Sequence, residues 1–172
     1  MSDPAAMSAR PGVARATVVI GGATLAVALA GSALATVGAR QLSHREDVAS
    51  LRQSALFAGQ QIAVDFSAYD YRHLQDDFNR VVNESTGAFK SQYATQSAGV
   101  QDLIIKAKAV STADVASAGL VDANRDSATV LVAVNRKVTN TSVPNGQSDS
   151  FGLQIVLKRV NGRWLASQVK PL

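Results

Sequence analysis

The sequence predicts an α+β domain, helices first and then a curved four-stranded antiparallel sheet, carried behind one membrane-spanning helix. Three observations predict it. Residues 16–39 contain no charged side chain. Apolar residues then recur at three- and four-residue steps, the spacing of one helix face. From residue 105 the period shortens to two, with turn residues at intervals, the pattern of hairpin-linked strands. Helices followed by a run of strands fit helices packed on one face of an antiparallel sheet. The division reads as a short tail (1–15), a span (16–39), a helical part (40–104) and a sheet part (105–172) of the same domain.

The tail is rich in Pro and Ala, has no core of its own and reads as disordered. In the span, "ATVVIGGATLAVALAGSALATVGA", about 1.5 Å per residue gives roughly 36 Å of helix, enough to cross a hydrocarbon core. Gly22, Ala26 and Ala30 repeat every four residues, as do Ala28 and Ser32. Such rows let a second helix approach closely and offer a route to oligomers through the membrane. "SALA" at 32–35 is an Ala-x-Ala-like cleavage site, so a secretory signal peptide is the rival reading. The apolar run is longer than a usual signal core, and helix-forming sequence continues past the site; both favour a retained anchor.

After the span, Val48, Leu51, Ala55, Ala58 and Ile62 form an apolar stripe on one helix face. The stripe is two heptads long, too short for a stable coiled coil, and packs on the protein's own sheet or on a partner helix. "SAYDYRHLQDD" (67–77) opens the next helix. Asp70 has the side chain of an N-cap, and Asp76 and Asp77 sit where negative charge suits a helix start. Leu74, Phe78, Val81 and Val82 carry the helical spacing onward. Gly87 interrupts it, and a further piece runs through Phe89 and Tyr93.

Lys106 to about Val121 reads as a long first strand and "DANRD" as a turn. "SATVLVAVNRKV" carries Val on both faces, as a central strand would. "TNTSVPNGQSD" is a loop. In "SFGLQIVLKRV" the apolar Phe151, Leu153, Ile155 and Leu157 alternate with a wet face. Asn161-Gly162 between two strand-like runs suits a type I′ hairpin turn. Trp164, in the last strand, reads as a core or sheet-edge anchor.

Composition narrows the functions. The chain has 172 residues and no cysteine, which excludes disulfides, a thiolate nucleophile and Cys-ligated zinc. The net charge is +4, and it is uneven: residues 105–172 hold nine Lys/Arg against four Asp/Glu, residues 1–104 eight against nine. The basic half fits either the polar face of a soluble sheet or an anionic lipid surface. The basic residues are scattered and no aromatic platform interleaves with them, which argues against nucleic acid. His44 and His73 have no ligand set around them, so no metal is expected. "NES" (83–85) and "NTS" (140–142) match the glycosylation triplet, which short polar loops also produce by chance.

Four motifs in this order carry a resemblance: "AYDYRHLQDDFNRV", "TGAFKSQY" (86–93), "AGLVDANRDSATVLVAVNRKVTN" (118–140) and the terminal "GRWLASQVKPL". Together they resemble the Mce-associated membrane proteins of actinobacteria, from about residue 16 to the end. The resemblance implies the cone fold of nuclear transport factor, the steroid isomerases and the type IV secretion scaffold subunit, with a cystatin-like helix-on-sheet arrangement. It implies a domain outside the cytoplasmic membrane, tethered by one span. The implied role is accessory, organising an Mce-type transporter that imports lipids or sterols, with no cofactor and no catalytic set.

The same cone can be an enzyme, so the acids of the sheet decide how well an isomerase-type mechanism is supported. Such a mechanism needs a carboxylate inside the cone and a donor for the developing oxyanion. Of the four acids beyond residue 105, Asp122, Asp126 and Asp149 fall in turns or strand starts, and Asp114 in a stretch that reads as exposed or bulged. Tyr69, Asp70, Tyr71 and His73 need not converge. The sequence therefore favours a non-catalytic subunit, with Val48, Leu51, Ile62, Tyr69, Tyr71 and His73 as candidate partner contacts. The alternatives are a lipid-carrying cone and a cone-fold isomerase.

Overall fold

The computed structural model describes residues 48–172; the tail and the span lie outside the described residues. Among the described residues no helix is long and apolar enough to cross a membrane. The element order is α1 (48–67), β1 (Tyr69–Asp70), α2 (Leu74–Asn83), α3 (Gly87–Ala107), β2 (Val110–Ala123), β3 (Ser127–Thr139), β4 (Gln147–Val160) and β5 (Arg163–Pro171).

The sheet has five strands in chain order, each antiparallel to the next. One strand more than expected is present: Tyr69 and Asp70 pair with Ser111 and Val110. Two residues are too few to show an alternation, so this edge had no sequence signal. Register shifts at Val115/Ser117 and Leu120/Asp122 in β2, and at the extra residue Ser167 of β5 opposite Val156/Leu157, bend and twist the strands and curl the sheet. The first falls beside Asp114, which is exposed, as expected of a bulged stretch.

Two boundaries differ from the sequence reading. The helix preceding β2 continues to Ala107, and β2 begins at Val110 rather than Lys106. Lys108 ends the helix in the left-handed conformation (φ 52°), with Ala109 and Lys108 amides returning to the carbonyls of Ile104 and Ile105. A lysine gives no such sign in sequence, where glycine would. Asp70 does not cap α2: His73 holds that position, and no side chain caps it. Asp70 instead accepts from the Arg72 amide at 2.9 Å, closing the 71–73 turn.

The core lies between α1 and the sheet face formed by Val130, Val132 and Val134 of β3 and Leu153, Ile155 and Leu157 of β4. Alternate β3 residues such as Leu131 and Asn135 are exposed, so the sheet is one-sided, not covered on both faces. Ala55, Ile62 and Ala63 of α1 fill the facing layer. Gly59 marks a close approach. A Cβ there would lie 2.8 Å from Cβ and Cγ2 of Val130 and 2.9 Å from Cγ1, so α1 rests directly on β3. Trp164 is buried in the same core, and its Nε1–H donates to Ser54 Oγ at 3.0 Å. An aromatic group joins the three helices: Phe66 of α1 and Phe78 of α2 both meet Tyr93 of α3, at centroid distances of 5.7 and 6.2 Å. The hairpin is type I′ as expected, with φ of 50° at Asn161 and 80° at Gly162.

Candidate functional site

The 67–77 segment is a structural closure. Ser111 Oγ donates to the Ser67 carbonyl at 2.7 Å and the Tyr71 amide to the Ala109 carbonyl at 3.1 Å. These bonds stitch the end of α1 to the start of β2. The Asp70 amide donates to Asp77 Oδ2 at 2.8 Å, which joins the same turn to α2. The Arg72 side chain grips the Asp70 carboxylate, and this hydrogen bonding holds the Asp70 carboxyl down at about 2. That carboxylate is ionised and occupied, a poor proton acceptor.

The candidate partner contacts separate into two groups. Ile62 is buried at 3% exposure and Leu51 packs against the core, so both face the protein's own sheet. Val48 is exposed at the described start of α1. Tyr69 and Tyr71 are half-buried, Tyr71 lying 5.9 Å beneath the Arg72 guanidinium, and His73 is exposed at the start of α2. Tyr71 and His73 belong to the rim of the β1–α2 turn, whereas Tyr69 lines a concavity with Phe66, Phe78 and Tyr93.

The cone mouth opens where the last turn of α1 leaves the sheet. Phe66, Ser67, Arg136, Asp149, Phe151, Leu153 and Pro171 line a cleft of about 300 Å³ there. Arg136 continues the inward row of Val130, Val132 and Val134, and Asp149 that of Phe151 and Leu153, because side chains two apart share a face. Arg136 Nε and Nη2 donate to the two Asp149 oxygens at 3.0 and 2.6 Å, and its guanidinium lies 4.8 Å above the Phe151 ring. That fork holds the Asp149 carboxyl below the usual carboxylate range. The mouth therefore carries a carboxylate, but one neutralised by a bidentate arginine; it is arranged as a clasp across β3 and β4.

A second concavity, of about 230 Å³, runs along α3. Phe66, Tyr69, Phe78, Tyr93, Val100 and Ile104 supply its apolar and aromatic lining. Burial pushes the Tyr93 phenol up to about 12, so its hydroxyl stays neutral. Beyond the groove α3 is unusually bare. Ser97 is the one buried residue of the whole helix, and past the groove Leu103 and Ile105 are exposed by 69 and 44%.

Sequence reasoning missed a buried charged group. Asp65 of α1, 6% exposed, accepts from Gln61 at 2.7 Å and from Arg80 of α2 at 3.2 Å. Glu84, just past α2, lies within hydrogen-bonding reach of the same carboxylate. No motif links positions 65, 80 and 84; only an acid on an otherwise apolar helix face hinted at it. Among the described residues no cluster of His, Cys, Asp or Glu could hold a metal ion.

Comparison with known proteins places this geometry in a family. Residues 16–171 match the family described as "Uncharacterized protein Rv1363c/MT1408-like". The chain belongs to this family. The match takes in the uncharged 16–39 stretch as well as the cone. Among its relatives, the uncharacterized protein Rv1363c of Mycobacterium tuberculosis is 25% identical over 129 residues, covering 74% of this chain and 49% of that protein. The chain thus spans about half the length of that relative. Rv1973 of the same species, described as an outer membrane protein, is 30% identical over 151 residues, covering 84% of this chain and 93% of that one. In three dimensions the chain is similar to a periplasmic fragment of TraM (TM-score 0.57, 17% identity, 69% and 95% coverage). It is also similar to CagV, a VirB8 homolog of the Helicobacter pylori type IV secretion system (TM-score 0.56, 11% identity, 69% and 96% coverage). The expected likeness to the secretion-scaffold cone is borne out, at identities where it establishes the fold alone.

Proposed function

We propose that this chain is a membrane-anchored, non-catalytic accessory subunit whose extracytoplasmic cone holds protein neighbours together, and that those neighbours are the membrane subunits of an Mce-type importer of lipids or sterols. The uncharged 16–39 stretch supports the anchor. Similarity to domains described as periplasmic, and to a relative described as an outer membrane protein, supports the extracytoplasmic setting. The four family motifs support the transporter as partner.

One observation carries the non-catalytic reading. Under the sheet α1 is seated at Gly59 directly on Val130, which leaves the cleft at the cone mouth as the open space there. The acid at the cone mouth, Asp149, is tied to Arg136. What remains to interact is the outside of the cone: the bare C-terminal half of α3, the β1–α2 rim and Val48.

A lipid-carrying cone is the second reading, favoured by the aromatic groove along α3. Its volume of about 230 Å³ lies under the roughly 300–1,000 Å³ of ordinary ligand sites, which suits a partner's side chain better than a whole lipid. Affinity purification of the full chain from gently solubilised membranes tests both readings. Importer membrane subunits recovered in constant ratio support the accessory role. A chain recovered alone with a lipid bound in constant ratio overturns it in favour of the carrier.

A further inference from the structure

Buried Asp65 and half-buried Glu84 lie at a junction that holds the helical layer to the sheet. At the α2–α3 corner the Ala166 amide of β5 donates to the Glu84 carbonyl at 2.7 Å, and the Thr86 amide donates to the Ala166 carbonyl at 2.8 Å. Ser85 between them is buried at 3% exposure, and its Oγ donates to the Val81 carbonyl at 2.6 Å. The residue that begins this clamp, Glu84, carries a buried Oε2 with no hydrogen-bond partner. Its carboxyl is within reach of Asp65, which is itself buried and already accepts from Gln61 and Arg80.

Two neighbouring carboxylates in a partly desolvated site oppose each other's ionisation, because their repulsion adds to the burial of each charge. One proton resolves the conflict. It lets one carboxyl donate to the other. We propose that Asp65 and Glu84 form a proton-binding latch: with one proton shared between them the α2–α3 corner is clamped on β5, and loss of that proton loosens the corner.

The charged groups facing the pair fit this assignment. From α1 there is Asp65. From α2 there are Arg80, which Asp65 and Asp77 share at 3.2 Å each, and Asp77, which also takes the Asp70 amide. From β5 there is Arg163. Arg80 is committed to the two aspartates, so the pair's second negative charge lacks a dedicated partner. Burial, followed by the Asp65 charge, raises the Glu84 carboxyl from its ordinary value to about 7. Loss of the Glu84 proton therefore falls near neutrality.

The test is hydrogen exchange of the full chain in detergent micelles from pH 5.5 to 8.5, corrected for the intrinsic pH dependence of exchange. Segments covering 84–87 and 164–168 should lose about tenfold or more in protection across that range, since each pH unit beyond the titration point shifts the equilibrium up to tenfold. The β3 segment 130–134 should not change. Glu84→Gln keeps the hydrogen-bonding partner without the titration, so its corner should be protected equally at every pH. Asp65→Asn removes the repelling charge, so the loss of protection should shrink or vanish, and any remainder should move to lower pH. Corner protection that stays flat in the wild type overturns the latch. So does a slope that persists in Glu84→Gln. If Glu84→Gln does not fold, the wild-type profile and the Asp65→Asn shift decide the matter.

Discussion

Replacing Gly59 by alanine should destabilise the protein, although alanine is the better helix former. In an open helix the exchange gains up to about 1 kcal/mol. At Gly59 the new methyl meets Val130 at 2.8, 2.8 and 2.9 Å, and overpacking of a filled core costs about 1–3 kcal/mol. Val130 cannot step aside easily. It is fully buried, β-branched and set in β3 between Leu120 of β2 and Ile155 of β4. The net expectation is a loss of about 1–2 kcal/mol, or a melting temperature lower by roughly 3–10 °C for a domain of this size. Gly99 is the internal control. It too lies within a helix, but a Cβ there has nothing within 4 Å, so Gly99→Ala should be neutral or slightly stabilising. Denaturant unfolding of the full chain in micelles, followed by the fluorescence of its one tryptophan, measures both. Adding Val130→Ala to Gly59→Ala should cost less than the sum of the two single changes, because the methyl enters the space the valine leaves. Equal effects at Gly59 and Gly99, or strict additivity with Val130, would refute the claim that α1 rests directly on β3.

Three further outcomes follow from the same geometry. Trp164→Ala should cost about 3–5 kcal/mol, as truncation of a buried large aromatic does, whereas Ser54→Ala removes one acceptor and should cost about 1 kcal/mol; equilibrium unfolding by circular dichroism compares them. Gly162→Ala, at φ 80°, should cost about 1–2 kcal/mol, read in the same way. Stability should depend on pH with a definite sign. Glu84 binds its proton more tightly in the folded chain, so its contribution is fully present below the unfolded value of 4.5 and is lost as the pH rises towards 7. Asp70 acts oppositely and loses its contribution between 3.8 and about 2. Thermal melts should therefore be highest near pH 4–5 and lower at pH 8, and Glu84→Gln should flatten that decline.

The larger elements were legible because their periods are strong. Phe151 to Leu157 alternate as a half-buried strand must, Asn161-Gly162 dictates its turn, and Leu51, Ala55, Ala58 and Ile62 of the stripe pack on the protein's own sheet, one of the two packings the sequence allowed. The failures have physical reasons. The helical end at Ala107 was obscured because "IIKAKAV" also alternates, and because the exposed Leu103 and Ile105 break the helical apolar period. β1 exists through tertiary pairing with β2, not through local propensity. Asp70 looked like a helix cap because its chemistry suits one; the backbone uses the same chemistry three residues earlier, in a turn. The site was less legible than the fold. Arg136 and Asp149 meet only because the β3–β4 register places them opposite, and Asp65, Arg80 and Glu84 meet only because α2 folds back across α1.

Site-specific photo-cross-linking in intact membranes tests the central claim most directly, with the photoreactive residue placed at Leu103 on the bare face of α3 and, as a buried control, at Ile62. The accessory account predicts a discrete cross-link from Leu103 to a membrane subunit of the importer and none from Ile62. Cross-links from Leu103 to lipid alone, or to no component of the membrane, would contradict it.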